Sequence, residues 1–238
     1  MNDFADFFWN KPKRFSLDKW HHYFDIYDRH FSKFRGKNPV IVEIGVQNGG
    51  SIEMWNDYFK GECTIYGIDI DPACSRFEKE FSNVKIFIGD QSNSEFLNVI
   101  KSQVPSIDIL IDDGSHVSHH IIITLENLYP AISPGGVYLI EDLHSNYRYI
   151  EGTGMNQPGS AIEYAKTLID HLNAKHITGK YEPPVPRLGI SRPMVGKLVP
   201  GYLDTSFSNI TNSIHFYDSV LVLEKKLNPN EIITSSVS

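Results

Sequence analysis

Two apolar runs in this chain each end on a pair of acids: Ile107–Ile111 on Asp112 and Asp113, and Val137–Ile140 on Glu141 and Asp142. Four carboxylates gathered in one place repel one another, which costs stability unless a cation sits among them. Histidines stand close by in sequence at His116, His119, His120 and His144. Hard divalent ions prefer carboxylate oxygens, and an imidazole titrates near neutrality. Residues of these types could hold such an ion and move a proton beside it.

The surrounding pattern says how they would be brought together. Short apolar runs bounded by glycine and polar residues suit strands buried on both faces, as in a parallel sheet. Between them the spacing predicts a helix over Ser118–Ile132 that buries Ile121, Ile122, Leu125 and Leu128, with Pro134-Gly135-Gly136 turning back into the sheet. Strand, helix and strand then form a parallel crossover unit. Both acidic pairs leave at the carboxyl edge, where open α/β sheets bind ligands. The expectation is a divalent metal site beside a cofactor crevice.

Upstream, Pro39–Gly45 reads as a first strand running through a glycine-bearing loop to Ser51 and a helix over Ile52–Phe59. Such a turn lets a ligand approach the backbone. The spacing departs from the dinucleotide fingerprint, because the glycines after Gly45 are Gly49 and Gly50. A second strand, Cys63–Asp69, ends on an acid about 20 residues past the loop, where a ribose diol is held. The alternative for Asp69 or Asp71 is to cap the helix near Pro72. After a third strand, Val84–Ile88, Asp90 lies where an adenine amino group would sit, or else caps the helix starting near Asn93.

The chain reads as one domain over residues 1–238, with an N-terminal helical segment (1–36) and an inserted lid (145–210). Residues 1–15 look irregular. Ser16 is expected to cap a helix carrying Trp20, Tyr23, Phe24, Tyr27, Phe31 and Phe34, packed on the sheet or on another copy as a homo-oligomer. The alternative turns His21, His22 or Tyr23 toward the crevice. In the lid, Ser160 and Glu163 form a capping box opening a helix to about His176, with Ile162, Ala165, Leu168, Ile169 and Leu172 on one face. A proline-rich loop follows (Pro183, Pro184, Pro186, Pro193, Pro200). Asn212–Tyr217 and Val220–Lys225 close the chain as a β-hairpin.

Lys and Arg total 22 against 29 Asp and Glu, a formal charge of −7, which argues against nonspecific binding to nucleic acid or anionic membranes. No apolar run approaches the ~20 residues of a membrane span. The N-terminus lacks a basic start followed by an apolar stretch, so the expected location is the cytoplasm. Two cysteines, Cys63 and Cys74, do not make a disulfide scaffold.

The segments EIG, GIDID, GDQ, DDGSH and GGVYLIED resemble those of class I S-adenosylmethionine-dependent methyltransferases. The resemblance is closer to metal-dependent sugar and natural-product O-methyltransferases. These include the mycinamicin type and proteins similar to the cephalosporin-biosynthesis methyltransferase–hydroxylase component. It rests on KWHHYFDIYDRHF, EIGVQNGGSIEMW, IDDGSH, EDLHSNY and SIHFYDSVLVLEK. It implies a Rossmann-like, mostly parallel seven-stranded α/β sheet ending in an antiparallel hairpin. It implies Mg2+ on Asp113, Glu141 and Asp142, with His116 as general base. S-adenosyl-L-methionine would lie on Glu43, Gly45, Gly49, Ser51, Asp69, Asp90, Gln91 and Asp112. His144 and Tyr147, just past the acids, are candidates for touching a sugar-containing acceptor.

Other readings stand beside this one. His116, His119 and His120 have the spacing of one helix face and could hold zinc, although the nearby acids favour a harder ion. His119 and His120 could equally be helix-surface groups, and Glu141-Asp142 a plain strand end. For the whole chain, the alternatives are a dinucleotide-dependent oxidoreductase or a catalytically silent methyltransferase-like binding subunit.

Overall fold

The computed structural model describes residues 2–148, 153–176 and 206–228. Among these, seven strands form one sheet: β1 (Val40–Ile44), β2 (Thr64–Asp69), β3 (Val84–Ile88), β4 (Ile107–Asp112), β5 (Ile132–Ile140), β6 (Thr211–Phe216) and β7 (Leu221–Lys225). Their order is β3-β2-β1-β4-β5-β7-β6. The first five are mutually parallel, β7 runs antiparallel to β5, and β6 pairs antiparallel with β7. This is the expected Rossmann-like sheet with its closing hairpin.

Register decides where the acids emerge. Ile44 pairs with Asp112, and Asp112 pairs with Ile140. The three central strands therefore end level. The ladder runs one step further: Asp113 N–H donates to the Ile44 carbonyl and Glu141 N–H to the Asp112 carbonyl, each at 2.9 Å. Asp113 and Glu141 leave the sheet side by side because their strands stop in register.

Helices cover both faces. On one lie α1 (Asp3–Asn10), α2 (Tyr23–Phe31) and α3 (Gly50–Tyr58), whose Phe4, Tyr27, Phe31 and Trp55 pack with Ile41, Ile109 and Leu139. On the other lie α4 (Ser94–Gln103), α5 (Ser118–Leu128) and α6 (Ala161–Leu172), which bury Leu97, Ile121, Leu125 and Leu168 against Val42, Leu110 and Tyr138. Sheet residues alternate between the two cores, as a strand period of two requires. No helix among the described residues is long and apolar enough to cross a membrane.

Several expected boundaries move. Residues 3–10, read as irregular, are α1, opened by Asn2, whose side chain accepts from Ala5 N–H at 2.9 Å. Ser16 does not cap a helix. Arg14 and Phe15 N–H both donate to Glu53 Oε2, at 3.0 and 3.3 Å, which ties the residues ahead of Ser16 to α3; residues 16–20 form no helix, and α2 begins only at Tyr23. The helix expected to reach Ile132 ends at Leu128, and Pro130 sits in a single 3-10 turn that follows. Its Ile122 is only partly buried. Pro134-Gly135-Gly136 is not a turn; it lies inside β5, where Gly135 N–H donates to Lys226 O at 3.1 Å. α6 starts at the Ser160 cap as expected but ends at Leu172. Ile169 is 49% exposed while Tyr164 takes the buried place. The proline-rich loop lies outside the described residues.

Candidate functional site

A crevice of about 440 Å³ opens over the carboxyl ends of β1, β2, β4 and β5. That size suits a single small-molecule ligand. The loop after β1 forms its floor. Gly45 has φ +91°, and a Cβ there would stand 1.9 Å from the Asp113 carbonyl oxygen. Only glycine lets the first loop pass so close beneath the metal-type acid. Asp69, at the end of β2, binds backbone on both sides: Oδ2 accepts from Gln47 N–H at 2.8 Å and Oδ1 from Asp71 N–H at 2.9 Å. It thus joins the first and second loops at the crevice wall. The helix-capping alternative falls to Asp71, which accepts from Ala73 N–H at 2.9 Å.

Asp90 and Gln91 line the adjoining wall. Asp90 accepts from Ser92 N–H at 2.8 Å, and that bond holds its carboxyl below the usual range. It does not cap the following helix; Asn93 does. The Gln91 amide is fully engaged. It donates to Asp112 Oδ1 and Thr124 Oγ1 and accepts from Ser115 N–H at 2.8 Å, tying the third loop to the fourth.

The acids meet a ring of donors from the N-terminal segment. Lys19 Nζ, buried, donates to Glu141 Oε2 at 2.7 Å and also to Asp113 Oδ2. Tyr27 OH donates to Glu141 Oε1 at 2.8 Å, and Tyr23 OH to Asp142 Oδ1 at 2.6 Å. Tyr23 and Tyr27 are four apart on α2 and so share one helix face. Two carboxylate oxygens are left facing one imidazole: Asp113 Oδ1 at 3.8 Å and Asp142 Oδ2 at 3.7 Å from His116 Nε2. His116 has φ +57° and Asp142 φ +54°. Such left-handed backbone is uncommon for non-glycine residues and turns both side chains back over the sheet edge.

Burial pushes Glu141 up to about 8. The charge of Asp113 adds to this, while the attraction and hydrogen bond of Lys19 oppose it. Burial also pushes Glu43 up to about 7, against the attraction of Lys19. Trp55 Nε1 donates to Glu43 Oε1 at 3.0 Å. Glu43 Oε2 makes no hydrogen bond of ordinary geometry, although the Ser51 hydroxyl is near enough to favour its charge.

The chain matches a family model described as a methyltransferase domain over residues 42–143. It is 35% identical over 170 residues to the 8-demethyl-8-alpha-L-rhamnosyl tetracenomycin-C 2'-O-methyltransferase of Streptomyces olivaceus, covering 67% of this chain and 44% of that protein. It is 31% identical over 214 residues to the mycinamicin VI 2''-O-methyltransferase of Micromonospora griseorubida, covering 85% and 47%. Among solved structures, MycE methyltransferase from the mycinamycin biosynthetic pathway, in complex with Mg, SAH and mycinamycin VI, superposes with a TM-score of 0.74 at 26% identity. That match covers 97% of this chain and 55% of MycE. The chain belongs to the class I methyltransferases. It spans about half the length of the relatives it matches.

In this chain the residues expected in the site do not all reach it. Asp112 stands behind the crevice. Its Oδ1 accepts from Gln91 and its Oδ2 from Tyr138 OH at 3.0 Å, and burial holds its carboxyl above the usual range. Gly49 faces the Phe77 ring, which a Cβ would meet at 2.3 Å. Ser51 is buried in the first turn of α3. Glu43 lies beneath the loop, bonded to Trp55. His144 stacks on Trp20 at 4.6 Å, and its Nδ1 pairs with Ser219 Oγ at 2.7 Å. Tyr147 is 46% exposed and does not line the crevice. His116 precedes α5 instead of sharing its face with His119 and His120, so a three-histidine site does not form.

The two free carboxylate oxygens fit a hard divalent cation. Ligand atoms of Asp113 and Asp142 lie within 4.8 Å of each other and of a ring nitrogen of His116. An ammonium already bridges Asp113 and Glu141, so positive charge belongs there. Sequence reasoning missed Lys19, Trp20 and Tyr27 and gave Tyr23 only as an alternative. The one signal for Lys19 was its place at the head of the aromatic run KWHHYFDIYDRHF.

Proposed function

We propose that this chain is an O-methyltransferase domain that moves a methyl group from S-adenosyl-L-methionine to a hydroxyl of a sugar or sugar-bearing small molecule, with Mg2+ as its metal. The observation that carries the reading is the convergence of Asp113 Oδ1 and Asp142 Oδ2 on His116 Nε2 at the crevice mouth. Relatives that act on sugar hydroxyls of macrolides and tetracenomycins support the acceptor class. The matches are to methyltransferases, which leaves a dinucleotide oxidoreductase without support.

The sulfonium supplies an activated methyl, and a bound divalent ion supplies the charge that acidifies a nearby hydroxyl. The chain's own groups do the rest. Asp113 and Asp142 would hold the ion through the oxygens that Lys19 and Tyr23 leave free, while Glu141, expected as a third ligand, has both oxygens taken by Lys19 and Tyr27 and would stand beside the ion. His116 Nε2, facing that position, would take the proton of the acceptor hydroxyl. Asp69 would hold the ribose hydroxyls while keeping the first loop in place through Gln47 N–H. Gly45 and Gly114, which both line the crevice, would let the cofactor lie against the backbone, and Asp90 would face the base. Alignment of donor and acceptor is the main contribution such a site makes to an in-line displacement.

Turnover of S-adenosylmethionine with a panel of glycosylated acceptors, with and without EDTA, tests this. Loss of turnover in EDTA and in His116→Ala, with S-adenosylhomocysteine binding retained, is expected. Cofactor binding without turnover on any acceptor would mark a silent binding subunit. No cofactor binding would remove the reading altogether.

A further inference from the structure

Away from the crevice, α2 ends on a second group of metal-type side chains. His30, buried in its last turn, places Nδ1 3.0 Å from Glu224 Oε1 on β7. His215, on edge strand β6, places Nε2 4.0 Å from Glu224 Oε2. One ligand atom from each of the three lies within 4.8 Å of the others. Two ligands on a tetrahedral zinc ion, each ~2.0–2.1 Å from it, are about 3.3 Å apart. The His30–Glu224 and His215–Glu224 spacings straddle that value, and an ion there would displace the Ser213 hydroxyl, which lies 3.0 Å from His215 Nε2 and donates to Glu224 Oε2 at 3.3 Å.

We infer that His30, His215 and Glu224 form a zinc site, separate from the catalytic crevice, that clamps α2 to the C-terminal hairpin. Two imidazoles and one carboxylate suit a borderline-soft ion such as zinc better than magnesium. Zinc-ligating histidines bind through one ring nitrogen and pass the other N–H to a partner that fixes the ring. His30 has that partner, since its Nε2 lies 2.9 Å from Tyr217 OH. The competing cation is Lys33, whose Nζ lies 3.3 Å from Glu224 Oε1. It is exposed enough to swing into solvent. The consequence reaches the crevice, because the same helix carries Tyr23 and Tyr27, which hold Asp142 and Glu141.

The test uses the full chain without a histidine tag, stripped with a chelator and titrated calorimetrically with zinc chloride in buffer containing excess magnesium. One equivalent should bind. His215→Ala and Glu224→Gln should each weaken binding tenfold or more, and Asp113→Asn should not change it. Lys33→Ala, an exposed substitution that spares the fold, should tighten binding severalfold. In cobalt(II), the wild-type chain should develop the visible band of a four-coordinate ion, and His215→Ala should lose it. No zinc uptake, uptake insensitive to both ligand variants, uptake lost in Asp113→Asn, or no tightening in Lys33→Ala would each overturn the site.

Discussion

Lys19 and Glu141, far apart in sequence, meet at 2.7 Å beneath the crevice, and the same ammonium also donates to Asp113. Burial alone would favour loss of the Lys19 proton. The charges of Glu141 and Asp113 outweigh that and hold the group protonated well above its usual range. The N-terminal segment thus delivers the counter-charge that lets two strand-end acids sit together. Removing one partner of a buried pair leaves the other uncompensated and typically costs about 3–5 kcal/mol. Lys19→Met should therefore lower unfolding free energy by about 3 kcal/mol in EDTA, and magnesium should restore part of it. Urea melts with and without the metal check this; a variant as stable as wild type in EDTA would count against the counter-charge role.

Glu43 gives a pH signature. Its carboxyl is raised from 4.5 to about 7 by burial. Folding therefore favours its protonated form, and that contribution is whole below pH 4.5 and lost as pH rises through about 7. Within that window one proton changes stability by at most about 1.4 kcal/mol per pH unit. Glu43→Gln keeps an oxygen for Trp55 Nε1 and should flatten the decline. Denaturation at several pH values in that window reads the slope directly, and equal slopes in both proteins would refute it.

Asp69 binds two loop amides besides facing the crevice. Asp69→Ala should weaken S-adenosylhomocysteine binding at least tenfold, or about 1.4 kcal/mol. Asp71→Ala, which removes only a helix cap, should leave affinity nearly unchanged. Calorimetry on both variants decides; equal losses would mean loop order, not the Asp69 carboxylate, sets affinity.

Two glycines with positive φ should respond differently. A Cβ at Gly45 would run into the Asp113 carbonyl, whereas at Gly36, φ +69°, nothing lies within 4 Å. Gly36→Ala meets only backbone strain and should cost about 1 kcal/mol. Gly45→Ala must also shift the β4 tip and should cost clearly more, with loss of cofactor binding. Thermal melts that rank the two equally would argue against the close approach.

The sequence by itself determined the sheet. Short apolar runs bounded by glycine and polar residues suit doubly buried strands, and an acid at the end of such a run falls at the edge where a ligand sits; Asp69, Asp113, Glu141 and Asp142 could be placed at that edge from the pattern, while the seven-stranded sheet came with the family resemblance. Local pattern also located the Ser160 cap and the hairpin, because caps and tight turns are made by neighbours in sequence. What it could not determine were relationships between residues far apart in the chain. Asp112 and Asp113 look alike in sequence, yet strand period sends one behind the sheet edge to Gln91 and Tyr138 and the other into the crevice. The N-terminal run read as one amphipathic helix. Its first half is not helical: the residues just ahead of it are tied to α3 through Glu53, and Lys19 lies against the acids instead. The tertiary structure decided which oxygens are spent on Lys19, Tyr23 and Tyr27 and which remain for an ion, because hydrogen bonding between distant segments leaves no periodic trace in the chain.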